Sequence, residues 1–221
     1  MLTEWRNRVR AEYRSAARTA QLLHWMVLAG FPRELLTTAG RIVQDELDHA
    51  DLSFDCVVAM GGEAEPAAME VGALSLSPSQ DGLLASIVDV VGHDFCLGET
   101  LAVPLFRAMW EHTTAPSARL ALTRVLRDEA VHRAFGWQAL DALLDLDGPG
   151  TRARVEALLP TWLGDFEAAY ADGRVAPPLS AAERSAGLID LAVYRDVFHT
   201  TTRGDIRRRF ARRGISWIPT R

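Results

Sequence analysis

Two six-residue runs concentrate the side chains capable of chemistry: Gln44-Asp45-Glu46-Leu47-Asp48-His49 and Arg127-Asp128-Glu129-Ala130-Val131-His132. Each contains Asp-Glu-x-x-His. On a helix, residues i and i+3 share a face, so each run aims a carboxylate and an imidazole in one direction. The chain has thirteen Glu and six His in 221 residues, so about 0.3 to 0.4 Glu-x-x-His matches arise by chance. Two matches, both led by Asp and both within long amphipathic segments, exceed that background. Carboxylate oxygen with imidazole nitrogen is a donor set for iron or manganese; thiolate-rich zinc sites look different.

The elements that must position these runs are helices. Close to half of the residues are apolar, only three are Tyr, and the abundance of Ala and Leu favours an all-α chain over a sheet. The length suits one domain spanning 1–221, and no composition break divides it. All 24 basic residues are Arg; without Lys there is no Schiff base, no lysine-bound pyridoxal phosphate and no Walker A loop. The net charge of −5 gives no global attraction to nucleic acid. Cys56 and Cys96 are far apart, which excludes a rubredoxin-type site or a zinc ribbon. The N-terminus lacks an apolar h-region and no run of about 18 apolar residues occurs. These features predict a soluble, cytoplasmic protein without a membrane partner.

Apolar spacing predicts a first helix over 3–29, ended by Ala29-Gly30-Phe31-Pro32, and an antiparallel second helix over about 33–60. Glu46 and His49 lie within the apolar stripe of the second helix. Folding the hairpin about residue 30 brings Glu12 opposite them; it is the one acidic residue in the middle of the first helix. The stretch 61–76 has no helical pattern. Sixteen extended residues reach about 55 Å, enough to travel the roughly 40 Å of a 27-residue helix and start a third helix parallel to the second. Ser77-Pro78-Ser79-Gln80 reads as a capping box at that start. The third helix, about 78–112, carries Glu99 on its inward stripe and Pro104 in its interior, where a kink or bulge near 100–104 is expected. A fourth helix, about 116–146, carries Glu129 and His132, and folding about residue 114 brings Glu99 level with Glu129. Asp147-Gly148-Pro149-Gly150 is a stop. Two more helices are expected at 151–172 and 180–212, the second bearing six Arg between 203 and 213 ahead of Ile215, Trp217 and Ile218.

Four carboxylates and two imidazoles at one level of a dry core need compensation, and two divalent cations would balance four negative charges. The set of Glu12, Glu46, His49, Glu99, Glu129 and His132 resembles the ferritin-like di-iron or di-manganese carboxylate proteins, in which two helices give one Glu each and two give Glu-x-x-His. The resemblance covers 3–146 as a four-helix bundle with a long crossover between helices 2 and 3, leaving 151–221 as helices packed on it. It implies that Glu46 and Glu129 bridge two Fe ions (or Mn, or one of each), with no haem, flavin or nicotinamide. A metal-bound His usually donates its other N–H to a carboxylate. Asp45 and Asp128 are similar to the aspartates that do this across helices in bacterial multicomponent monooxygenases, which implies pairs Asp45–His132 and Asp128–His49.

The activity implied is that of an oxygenase or oxidase that uses O2 to hydroxylate, N-oxygenate or desaturate a small organic substrate. The small or interrupted positions Ala16, Gly92, Ala102, Pro104 and Gly136, with Phe95, are expected to leave a cavity for substrate or gas. Electrons would come from an external donor; a carrier-protein partner and a homodimer are further expectations. The alternative is a bacterioferritin- or rubrerythrin-like ferroxidase or peroxidase with no organic substrate. Against it stand the missing cysteine pairs, the C-terminal extension, and Leu47 where bacterioferritin places a haem-ligating Met.

Overall fold

The computed structural model describes residues 1–63 and 69–216. Part of the 61–76 connection, and the apolar Trp217 and Ile218, lie outside the described residues. Among the described residues there are helices and turns but no strand, and no helix is long and apolar enough to cross a membrane. The chain forms two compact units. One comprises Met1–Ser77, Phe106–Asp128 and Leu179–Leu188; the other comprises Pro78–Leu105, Glu129–Pro178 and Ile189–Arg221.

In the first unit, α1 (Leu2–Leu28) and α2 (Arg33–Ala59) pack as a hairpin. The turn works because Gly30 adopts φ 72°, which lets Phe31 N–H reach the Met26 carbonyl at 3.1 Å and Gly30 N–H the Val27 carbonyl at 3.2 Å. This is the double bond of a Schellman stop. Pro32 sits at the N-cap of α2, where its missing N–H costs nothing. The buried stripe of α1 is Trp5, Val9, Glu12, Ala16, Thr19, Leu22 and Met26, joined by Arg8 and Trp25. That of α2 is Leu35, Ala39, Ile42, Glu46, His49, Ser53 and Cys56, joined by Ala50 and Val57. The one-turn helix Ala181–Ser185 is started by a capping box between Ser180 and Glu183. It closes one end of the hairpin: Trp5 Nε1 donates to the Ala186 carbonyl at 2.9 Å, and the amides of Thr114 and Ala115 donate to Ser185.

The third helix differs from its expected form in two ways. It begins at Leu83 with Gly82 as N-cap, not at the Ser77–Gln80 box, because Ser79 to Gly82 makes a turn with the Gly82 amide bonded to Ser79 O at 3.3 Å. We label 83–112 as α3. It contains Leu83–Val90, then a π-helical stretch Val91–Glu99, then regular α-helix Thr100–His112. The irregularity therefore lies upstream of Pro104, which is held inside the regular segment. A wider i→i+5 ladder takes more residues per turn than the α form, so side chains across 91–99 drift from an α stripe. Val91 and Leu97 become buried in consequence, and Glu99 is only half-buried.

In the second unit, α4 (Pro116–Leu146) contributes its residues from Glu129 onward. The next helix, α5 (Gly148–Tyr170), starts three residues before the expected 151 because Asp147 both ends α4 and caps α5, accepting from Gly150 N–H at 3.0 Å. The expected helix 180–212 is broken at Gly187, φ 87°, and resumes as α6 (191–211), which contains a short π stretch Thr202–Ile206. Arg154 of α5 holds α3 by a bidentate pair to Asp89 at 2.5 and 2.6 Å and a bond to Asp81 at 2.7 Å. Arg213 holds α4 through Asp141 at 2.6 and 2.7 Å, so that arginine of the 203–213 cluster is structural.

Gly92 and Gly136 are contact points, not cavity walls. A Cβ on Gly92 would fall 2.5 Å from the Trp162 ring, and one on Gly136 would fall 2.6 Å from Phe95 Cβ and 2.9 Å from its carbonyl carbon. Phe95 is itself buried and packs edge-on to Phe135 with centroids 5.0 Å apart. Ala102 and Pro104 are half-buried. Gly136→Ala should therefore cost about 1–3 kcal/mol through forced separation of α3 and α4. The control Gly164→Ala, on a helix with open space around it, should gain about 0.5–1 kcal/mol from propensity. Urea unfolding of both variants checks the opposite signs.

Candidate metal centre

The first unit brings Glu12, Glu46 and His49 together. All three are buried, and each offers one donor atom within 4.8 Å of the others. The positioning is a direct result of the hairpin: Glu12 comes from the middle of α1, and Glu46 and His49 are one turn apart on α2. Glu46 is fixed at both oxygens. Its Oε1 accepts from Ser15 Oγ at 2.7 Å, and its Oε2 faces His49 Nδ1 at 3.4 Å. Ser15 carries no signal in the sequence beyond lying one turn from Glu12.

His49 divides its two nitrogens between two carboxylates. Nε2 lies 3.2 Å from Asp128 Oδ2. Both facing carboxylates only accept, so Nε2 donates to Asp128 and Nδ1 turns its own proton toward Glu46; a cation ligated at Nδ1 would replace that proton. Burial works against a charged His49, but Glu46 and Asp128 outweigh it and hold the imidazole above its ordinary value. Asp128 is itself anchored by Arg124 and by Arg127 Nε at 2.8 Å. Burial raises the Asp128 carboxyl, but those two guanidinium groups and His49 overcome it and leave it below the usual carboxylate range. Arg124 also reaches Asp45 at 3.1 Å and Asp48 at 3.0 Å. One guanidinium thus ties both Asp-Glu runs together. Sequence reasoning missed it, although Arg124 stands four residues before Asp128 on the same helix face.

Arg8, one turn before Glu12, is 9% exposed. Its guanidinium lies 4.7 Å from the Trp5 ring centre and 5.6 Å from that of Phe106, and Nη2 donates to Met109 Sδ at 2.9 Å. It places a positive charge near the buried carboxylates without an ion pair among the described residues.

In the second unit, Glu129 and His132 are buried on α4, with His132 Nδ1 3.8 Å from Glu129 Oε2. Glu99, at the end of the π stretch, lies close enough to Tyr170 that its charge adds to burial in raising that phenol. Tyr170 continues a run of rings, stacking on Phe166 at 6.1 Å and on Tyr194 at 5.9 Å.

The donor chemistry fits a cation. Two donors each about 2.1 Å from one ion, at angles between 90° and 110°, stand roughly 3.0–3.4 Å apart, and opposed donors stand about 4.2 Å apart. The 3.4 Å of His49 and Glu46 agrees with adjacent ligation of a hard or borderline divalent ion, and Glu12 brings a third donor within 4.8 Å of both. The cysteines belong to a different role. Burial pushes the Cys56 thiol up to about 11, and full burial pushes Cys96 well above its ordinary range while its Sγ donates to the Gly136 carbonyl at 3.4 Å.

Compared with known proteins, the chain matches no family model, no curated protein and no solved structure.

A thiol reagent at pH 8 should label neither cysteine in the native protein and both after unfolding, since about one Cys56 thiol in a thousand is ionised there. The folded thiols titrate above the ordinary 9.0 and Cys56 near 11. Their contribution to stability is therefore complete below about pH 9 and is lost as pH rises through 11. Labelling counts by mass spectrometry, and urea midpoints between pH 7 and 11, check both statements.

Proposed function

We propose that the protein is a ferritin-like di-iron enzyme. Glu12, Glu46 and His49 would hold one ion, and Glu99, Glu129 and His132 would hold the other. The reading is carried by the buried group of Glu12, Glu46 and His49, whose donors share one 4.8 Å envelope. It is supported by the continuity of α4, in which Asp128 and Glu129 are adjacent, one reaching back to His49 and the other leading the second run. The group contains no Cys, which favours iron or manganese over a thiolate metal.

When bound, a pair of iron ions supplies the electrons and the locus for reducing O2, and so the oxidising power for hydroxylation, N-oxygenation or desaturation of a small organic substrate. The chain's own residues do the rest. Four carboxylates cancel the charge of two divalent cations, so the pair can sit in a dry core. Asp128 orients His49 through Nε2, so that Nδ1 would take a cation in place of its proton. Ser15 holds Glu46 to one rotamer. Arg124 keeps Asp128 ionised. Electrons come from a separate donor protein, and the enzyme works as a monomer or homodimer; a shell of many subunits would mark iron storage instead.

Anaerobic titration with Fe(II), followed by metal counting and O2-uptake measurements, tests this reading. The parent should hold about two ions per chain and consume O2. Glu46→Ala and His132→Ala should each lose at least one ion and slow O2 uptake at least tenfold, within the 10–100-fold range typical for lost ligand support. Fewer than two ions in the parent, or variants that bind as the parent does, would falsify it.

A further inference from the structure

The first unit contains an open groove of about 550 Å³ between α1, α2 and the segment that follows α2, inside the size range of small-molecule sites. Ala16 and Ala17 of α1, Val43 and Leu47 of α2, and Met69 and Leu74 form its walls. Among the described residues no charged side chain lines it. Alanines on α1 leave the space, because a longer side chain at 16 or 17 would fill it. The span from Tyr13 to Ala20 along α1 is about 10 Å at 1.5 Å rise per residue, so the space is an elongated slot.

The slot is lined by residues one turn from the buried ligand group. Ala16 is one turn from Glu12 and Val43 one turn from Glu46, about 5 Å along each helix. Tyr13 and Leu47 directly follow Glu12 and Glu46 in sequence. The outer wall is pinned, since Gln21 Nε2 donates to the Leu76 carbonyl at 3.0 Å and Leu76 N–H donates to Gln21 Oε1 at 2.8 Å. That two-bond clasp fixes the segment carrying Met69 and Leu74 against α1. Tyr13 brings the one polar side-chain atom of the lining, and its ring is seated edge-on against Phe54 at 6.1 Å.

We propose that this slot binds a neutral, unbranched aliphatic molecule, with its single oxygen function at the Tyr13 hydroxyl, and holds the chain beside Glu12 and Glu46. The described lining offers no counter-charge to an ionised head group lying within the groove, so charged analogues should bind more weakly. That the occupant is also the substrate rests on the metal-dependent oxidation proposed above; the binding itself does not.

Calorimetric titration of the full chain with 1-octanol, octanoate and octylammonium, in metal-free and Fe(II)-loaded protein, tests the assignment. One octanol should bind per chain with a negative heat-capacity change, and both charged analogues should bind at least tenfold more weakly. Ala17→Trp should weaken octanol at least tenfold at unchanged melting temperature. Ala20→Phe, at the exposed rim, should weaken it as well and serves if the first variant does not fold. Absence of octanol binding to the parent, or equal binding by both variants, overturns the proposal. So does a parent that is a dimer and becomes a monomer in either variant without binding octanol, which would make this face a contact between copies. Octanol binding by a protein that takes up no metal keeps the slot and removes the oxidation; metal uptake without octanol binding removes the slot alone.

Discussion

A buried carboxylate must be matched by positive charge or lose its ionisation, and Glu12, Glu46 and Asp128 impose that requirement on one small volume of the first unit. At 8%, 2% and 7% exposure, none of them is solvated well enough to stand alone. The nearby positive groups are of two kinds. Arg124 and Arg127 meet Asp128 at the margin. Glu12 and Glu46 face a histidine nitrogen instead. Much of the surrounding architecture follows from keeping these groups in register: a hairpin with a tightly specified turn at Gly30, a serine on Glu46, and a guanidinium spanning Asp45, Asp48 and Asp128.

The division of labour between the arginines explains how polar groups can crowd so close to the apolar stripe. Arg124 is about a third exposed and spreads its charge over three aspartates, so its pairs are those of a partly solvated network. Arg8 is more deeply buried and lies over aromatic faces, which suits a weakly hydrated guanidinium better than it would an ammonium. The complete use of Arg in place of Lys in this chain is thus compatible with the structural tasks given to Arg8, Arg124, Arg154 and Arg213.

Helix identity and the α1–α2 hairpin were legible because they depend on local signals: 3.6-residue periodicity, Gly30 at a left-handed turn, and Pro32 at a helix start. Glu12 was found from the fold-back alone, and the structure brings it to Glu46 and His49. What the sequence hid was non-local. Nothing in the pattern around Val91–Glu99 distinguishes a π ladder from an α one, because both take the same apolar residues and differ in which carbonyl each amide chooses. Pro104 pointed to an irregular helix but placed it some residues downstream. Gly92 and Gly136 read as room for a ligand because a glycine in a helix gives no sign of what fills the space, and Trp162 and Phe95 occupy that room. Ser15 and Arg124 are polar residues at ordinary helical positions, and only their distances to Glu46 and Asp128 single them out.

Crystals grown with Fe(II) and measured on both sides of the iron absorption edge address the central claim without recourse to turnover. The account predicts two anomalous peaks per chain, one bounded by Glu12, Glu46 and His49 and the other by Glu99, Glu129 and His132. Absence of both peaks, with the Glu46 and His49 side chains joined directly by a hydrogen bond, contradicts it.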